Sequence, residues 1–368
     1  MPAQTPGISG YAQAMFALDV GFQIDLDKAQ TFVQEATRLK VVRTRRPAPV
    51  WFDYSPPPIR LAIDGSPIAI GSTQTESAAE LLIYDFGAVL VSYRMPLPAS
   101  LGELADLSVA LYDDNTLVAD ARKRVAQVVE AIRPAIERPR IADAVEDYSI
   151  FAVTSWDESL PSTEFFERHR SELARIIEAE RSELSPEQVE RATDATMSYS
   201  TSDLAIVDWN AAILFDREPG DVIAVLQHAN IELLELRVLD EELDSILDHA
   251  DETLREIINA RLWPGFSSGK LLGRFATVQT DAAVMFEGVN NAIKLLGNQY
   301  LARFYRLTAG RLDLPAWQAS VQRKLEATES LYAKMSDTTS TRRLELLEWV
   351  IIVLITVSIV LPFTPWYH

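Results

Sequence analysis

The sequence predicts an α+β fold: a duplicated α/β head of hairpin-plus-helix units, then a long α-helical stalk, then one C-terminal transmembrane helix. Three observations predict it. Short β-rich runs alternate with amphipathic helices over the first two thirds of the chain. The last third is almost wholly helical in pattern, and residues 346–363 form an eighteen-residue run whose only polar members are Glu348, Thr356 and Ser358. The predicted boundaries are 1–218 for the head, 219–343 for a coiled-coil-like stalk and 344–368 for the anchor.

Taken in order, residues 16–26 mix β-formers around Gly21, and 25–39 carry a helical pattern. Five prolines between 47 and 58 mark a loop and a sheet edge, because proline cannot donate to a ladder. The segments LLIYDFGAVLV (81–91) and LAIVDWNAAIL (204–214) share one plan: apolar strand, Asp, aromatic, Gly or Asn, Ala, apolar strand. Gly87 and Asn210 both tolerate positive φ, so both segments are expected to be hairpins, each followed by a helix near 99–112 and 219–247. Together they suggest an internal duplication, with Asp19-Val-Gly21 a degenerate third copy. Residues 114–138 and 162–194 are expected to be helical, the second with Ser185 as an N-cap and Pro186 in the first turn. Residues 148–154 between them are expected to be a strand.

From Pro219 onward Leu226, Leu233, Leu236, Leu243 and Leu247 recur three, four and seven apart, the spacing of a helix seam. A further helix is expected over about 270–311. Asp313 is expected to cap the next, along which Trp317, Val321, Leu325, Leu331 and Met335 continue an apolar face. Leu226, Leu233, Leu236, Leu243, Leu247, Trp317, Val321 and Leu325 are therefore the expected self-association residues. The anchor itself is expected to consist of Trp349, Val350, Ile351, Ile352, Val353, Leu354, Ile355, Val357, Ile359, Val360 and Leu361. Eighteen residues rise roughly 27 Å as a helix against a hydrocarbon core of about 30 Å. Trp349, Trp366 and Tyr367 stand where interfacial aromatics belong, and Arg342 and Arg343 precede the run, placing the bulk of the chain on the cytoplasmic side.

Composition narrows the function. A net charge of −19 argues against a nucleic-acid partner. The absence of cysteine excludes disulfides and thiol catalysis and suits a reducing compartment. The first fifteen residues have neither a basic region nor an apolar stretch, so no secretory signal is expected. His169, His228, His249 and His368 carry no metal-binding spacing, and a structural or surface role is expected for each. Asp85-Phe86-Gly87 spells a kinase magnesium triplet but lies in a hairpin, and Gly265–Lys270 is one residue short of a phosphate loop and lacks its Ser or Thr. The acidic pairs Glu232/Glu235, Asp240/Asp244 and Asp248/Asp251/Glu252 are expected to be solvated. The basic cluster Arg38, Lys40, Arg43, Arg45 and Arg46 could meet anionic lipid, RNA or a protein, or simply be solvated. No catalytic, metal or cofactor site is expected, and the chain does not read as an enzyme.

The segment LELLEWVIIVLITVS (344–358), with its LEW followed by an isoleucine- and valine-rich stretch, is similar to the terminal segment of the "required for meiotic nuclear division" family, which includes YagE-type bacterial and Sad1-interacting-factor-like proteins. Asp313-Leu-Pro-Ala-Trp317, the hairpin at 81–91 and residues 229–237 resemble other parts of that family. Ser358 departs from it, standing where many relatives carry glutamate. The resemblance implies a membrane-anchored, self-associating protein that tethers or scaffolds without catalysing. Together these readings lead to an expected bacterial inner-membrane protein, single-pass, contacting lipid, its own copies and a protein partner. The alternative is an oligomeric ion channel or transporter with one pore-lining helix per subunit.

Overall fold

The structure is a computed structural model, and it describes residues 7–35, 41–42, 56–156, 161–259, 277 and 298–360. The chain divides into two compact units, Met1–Val238 with Met285–Gln318, and Leu239–Val284 with Ala319–His368. The strands are β1 (Ser9–Asp19), β2 (Gln23–Ile24), β3 (Val41–Val42), β4 (Ile59–Asp64), β5 (Ala69–Ile70), β6 (Thr73–Gln74), β7 (Ala78–Ile83), β8 (Ala88–Pro96), β9 (Ile136–Glu137), β10 (Glu146–Ser155), β11 (Thr196–Met197), β12 (Leu204–Val207) and β13 (Ala211–Phe215). The helices are α1 (Leu26–Glu35), α2 (Leu101–Tyr112), α3 (Thr116–Ile132), α4 (Ser162–Ile177), α5 (Pro186–Ala192), α6 (Gly220–Asn259), α7 (Gln299–Arg311) and α8 (Leu314–Val360).

Nine strands form one mixed sheet in the order β11-β12-β13-β10-β1-β8-β7-β4-β3. The central strand β1 pairs antiparallel with both β10 and β8. Because side chains alternate along a strand, β1 sends Ala12, Ala14, Phe16 and Leu18 to one face and Gln13, Met15 and Ala17 to the other; all seven are buried. On the first face Phe16 lies opposite Val91 and Ala12 opposite Phe151. These join Leu104 and Leu107 of α2, Leu117 and Val125 of α3, and Phe165 and Leu173 of α4 in one apolar core. Phe215 stacks edge-on against Trp156 with ring centres 5.6 Å apart and tilts against Phe165 at 5.3 Å; truncating such a ring costs about 3–5 kcal/mol.

The second face is polar by comparison. Gln13 donates to Ser92 across 3.2 Å. Glu146 stands opposite Ala17 and so shares that face, where it pairs with Arg237 of α6. The first turns of α6 thus lie over this side, and residues 222–236 of α6 are buried all round, the state expected of an interior helix. In the other unit Lys324 of α8 lies 2.8 Å from Asp240 and 2.6 Å from Asp244 of α6, and Leu243 and Val321 are buried.

Both expected hairpins form, β7–β8 and β12–β13. The duplication does not extend beyond them: β8 runs antiparallel to its neighbour β1, whereas β13 runs parallel to its neighbour β10. Gly87 takes φ +99° as expected, but among the described non-glycine residues only Arg138, Ala179 and Asp313 have positive φ, so Asn210 does not. The expected helix over 162–194 is two, because the chain turns left-handed at Ala179. Asp313 does not cap α8 in the extended conformation a cap needs; its φ of +56° makes it the turn residue that closes α7. The expected helix at 270–311 and the proline-rich loop lie largely outside the described residues.

The expected transmembrane helix requires correction: among the described residues no helix is long and apolar enough to cross a membrane. The reason is where charge falls. The last eighteen described residues of α8, 343–360, include Arg343, Glu345 and Glu348. Among the described residues the uncharged stretch, 349–360, rises about 18 Å, short of a bilayer core.

Two substitutions test this backbone reading. A Cβ on Gly87 would fall 1.8 Å from the Gly21 carbonyl oxygen, so Gly87→Ala is expected to destabilise the fold by roughly 2–4 kcal/mol in urea unfolding. At the end of α4, Ala179 N–H donates to Ile176 O and Glu180 N–H to Arg175 O, a Schellman turn with alanine in the left-handed place. Ala179→Gly is expected to add about 0.5–1 kcal/mol, read as a rise in the urea midpoint.

Candidate functional site

Two polar constellations stand out, both within the first unit. The first is a buried carboxylate cluster where β1 ends and β10 begins. Asp19, the last residue of β1, is fully buried; it accepts from Gly21 N–H at 3.1 Å and from the Arg140 guanidinium at 3.1 Å. Burial nevertheless holds its carboxyl above the usual range, with Arg140 opposing. Glu235 of α6 is 3% exposed, and neither of its carboxylate oxygens has a hydrogen-bond partner among the described residues. Burial first, and then the charge of Asp19, raise it well above an ordinary glutamate. Glu146 is pushed up to about 7 by burial despite Arg237.

Further along α6 the polar layer continues. Glu232 accepts from the Tyr305 hydroxyl of α7 and, at 2.9 Å, from Gln318 of α8, so its carboxylate is satisfied. His228 is buried, its pKa lowered to about 4 by desolvation, and its ring lies 6.0 Å from that of Tyr305. Arg311 of α7 binds Asp208, at the tip of the β12–β13 hairpin, across 2.8 Å.

The second constellation is an open cleft of about 290 Å³ lined by Tyr199, Ser200, Ser202 and Asp203 before β12, Asp216 and Arg217 after β13, and Asn298 and Tyr300 at the start of α7. It lies where strand ends and helix starts converge, a place where backbone N–H groups are left over and need oxygens.

Residues 9–222 match the family of the uncharacterized protein MJ0711, N-terminal domain. The chain belongs to this family. Over 220 residues it is 23% identical to the uncharacterized protein MJ0711 of Methanocaldococcus jannaschii, a stretch covering 59% of this chain and 66% of that protein. The match therefore spans slightly less than two thirds of the relative's length. No solved structure matches the chain. This membership overturns the resemblance to the "required for meiotic nuclear division" family, which rested mainly on the apolar segment beyond residue 343, outside the matched region. The MJ0711 N-terminal region holds the sheet from β1 to β13 together with Asp19, Glu146 and most of the cleft. Glu235, Arg237, Asn298 and Tyr300 complete both constellations from beyond it.

The expected site residues are distributed as follows. Leu226, Leu233 and Leu236 are buried in the first unit and Leu243 and Val321 in the second, while Leu247, Trp317 and Leu325 are half-buried. Trp349, Val350, Val357, Ile359 and Val360 lie on α8; Ile351, Ile352, Val353, Leu354 and Ile355 there are each more than half exposed. Leu361, the basic cluster, Gly265–Lys270 and His368 lie outside the described residues. Asp85-Phe86-Gly87 is the β7–β8 turn, as expected, with Gly87 N–H donating to Tyr84 O. The expectation of solvated acids fails for Glu232 and Glu235, and the Asp240/Asp244 pair is clamped by Lys324. His169 contacts Glu172 at 2.6 Å. Among the described residues no group of three or more His, Cys, Asp or Glu could hold a metal ion.

Glu235 sets a measurable pH dependence. Its folded-state pKa lies above the unfolded value, so its contribution to stability is complete below about 4.5 and is lost as pH rises through the folded value. Glu235→Gln is expected to be more stable than the parent by about 1–3 kcal/mol at pH 8. That gain should shrink toward zero as the pH falls toward 4.5, read from urea midpoints across the range.

Proposed function

We propose that this protein is a self-associating tether: the end of α8 enters a lipid bilayer and the α/β unit presents a surface to a protein partner. The observation that carries the reading is the apolar end of α8. Residues 351–355 are five successive Ile, Val and Leu side chains, each between 51% and 62% exposed. At 3.6 residues per turn, five successive positions cover the whole circumference. A single partner helix would shelter one stripe only; a hydrocarbon phase shelters all sides at once, which is the setting that suits a helix apolar all round. Arg342 and Arg343 before the run favour a cytoplasmic side for the α/β unit, and inserted helix ends from several copies would bring the chains together. The channel alternative gains nothing from Thr356, whose hydroxyl donates to Ile352 O at 2.7 Å within its own helix.

Flotation with anionic phospholipid vesicles tests the reading. The full chain is expected to float and, after crosslinking on the vesicles, to give discrete multimers; a chain ending before Leu344 should stay in the aqueous fraction. Ile352→Glu together with Leu354→Glu should reduce flotation at least tenfold while leaving the urea midpoint of the α/β unit unchanged. Equal recovery of parent and truncated chains in the aqueous fraction would sink the proposal.

A further inference from the structure

The cleft between the β11–β12 loop, the end of β13 and the start of α7 is a place where oxygen and aromatic surface are left over once the local hydrogen bonds are counted. Asp203 accepts from Tyr199 N–H at 2.7 Å and from Ser200 N–H at 2.6 Å, and the Tyr300 hydroxyl also reaches it. Asp216 accepts from Glu218 N–H at 2.9 Å, and Asn298 accepts from Tyr300 N–H at 2.8 Å. The Tyr199, Ser200, Glu218 and Tyr300 N–H groups, which would otherwise attract an anion here, are thus taken by the chain's own oxygens. The lining offers carboxylate and ring beside the Arg217 guanidinium and the Ser200, Ser202 and Asn298 side chains. Tyr199 is 74% exposed and meets Tyr300 edge-on, with ring centres 5.3 Å apart.

Charge points the same way. The lining carries Asp203 and Asp216 against Arg217; Glu218 and Asp221 flank it, and the charge of Arg303 reaches Tyr300. The negative field is felt inside the cleft: burial and then the charges of Asp203, Glu218 and Asp221 hold the Asp216 carboxyl above its usual range. A cavity of about 290 Å³ sits at the small end of ligand pockets, suited to one compact group rather than to a nucleotide or extended cofactor. Two tyrosine rings beside carboxylates are the surroundings in which ammonium groups bind, by ring quadrupole and ion pairing together.

We infer that this cleft binds an alkylammonium group, held against the paired Tyr199 and Tyr300 rings and neutralised by Asp216. Either a free polyamine or a lysine side chain of a partner protein supplies that chemistry. In this arrangement Asp203 is a positioning residue, shaping the loop that carries Tyr199. Arg217 acts against the ligand as a competing cation and sets the affinity from above.

Calorimetric titration of the full chain at low salt, with spermidine, Nα-acetyl-lysine methylamide, its trimethyl form and inorganic phosphate as separate probes, tests the inference. Saturable binding of at least one ammonium probe and none of phosphate is expected. Spermidine alone binding would assign a free amine, and the lysine probes binding would assign a protein ligand. Asp216→Asn keeps the oxygen that caps Glu218 and should weaken binding at least tenfold. Tyr199→Ala, at an exposed position, should weaken it about three- to tenfold, and Arg217→Gln should tighten it. Amide shifts at Tyr199, Ser200 and Arg217 should saturate with the same midpoint. The inference is overturned by an absence of saturable ammonium binding up to millimolar concentration, by affinities unchanged in both Asp216→Asn and Tyr199→Ala, or by phosphate binding that Arg217→Gln abolishes.

Discussion

Strand β1 is hydrogen-bonded along both edges and buried on both faces, and the rest of the first unit follows from that constraint. A strand with two partners has no free backbone groups to offer, so it can only be protected by layers above and below. The first layer, α1 to α5, is assembled from the chain between β1 and β12 and closes over Ala12, Ala14, Phe16 and Leu18. The second has to come from residues beyond β13, because by then the intervening helices are spent on the first. That order of events along the chain explains why α6, rather than a shorter connection, follows the last strand.

The two layers use different physics. Over the first face, burial is apolar and non-directional, with the aromatic trio Trp156, Phe165 and Phe215 as its densest part. Over the second, carboxylates and amides are buried, and each must find a partner or shift its ionisation. Glu232 finds two donors; Glu146 finds one and remains raised; Glu235 finds none. An apolar face tolerates a small slip of its cover, whereas a polar layer fixes position, since moving α6 by one residue would separate Arg237 from Glu146.

Much of the fold was legible in short-range pattern. The runs at 81–91 and 204–214 read as hairpins because apolar residues on either side of an Asp-aromatic pair leave little else possible. Residues 148–154 read as a strand from their β-branched and aromatic content, and Ser185-Pro186 marked the start of α5, where Gln188 N–H does donate to Ser185. What was not legible was long-range. Nothing local shows that β13 lies parallel to β10. Glu232 and Glu235 looked solvated because charge in a helical pattern normally is, and only the closure of other elements around α6 buries them. Asp313 carries the residue type of a cap and the backbone of a turn, a choice decided by the two-residue connection between α7 and α8. The cleft escaped notice because Asp203, Asp216 and Tyr300 are far apart in sequence and belong to no spacing.

The boundary of the MJ0711 N-terminal family falls at residue 222, two residues after α6 begins. In this chain residues 9–222 therefore do not cover both faces of their own sheet. Cut at that point, the sheet would lay bare Met15, Ala17, Leu90, Tyr148 and Ile150, a ready seat for any helix of suitable shape. Residues 9–222 are in this sense a socket, completed by the chain's own next helix.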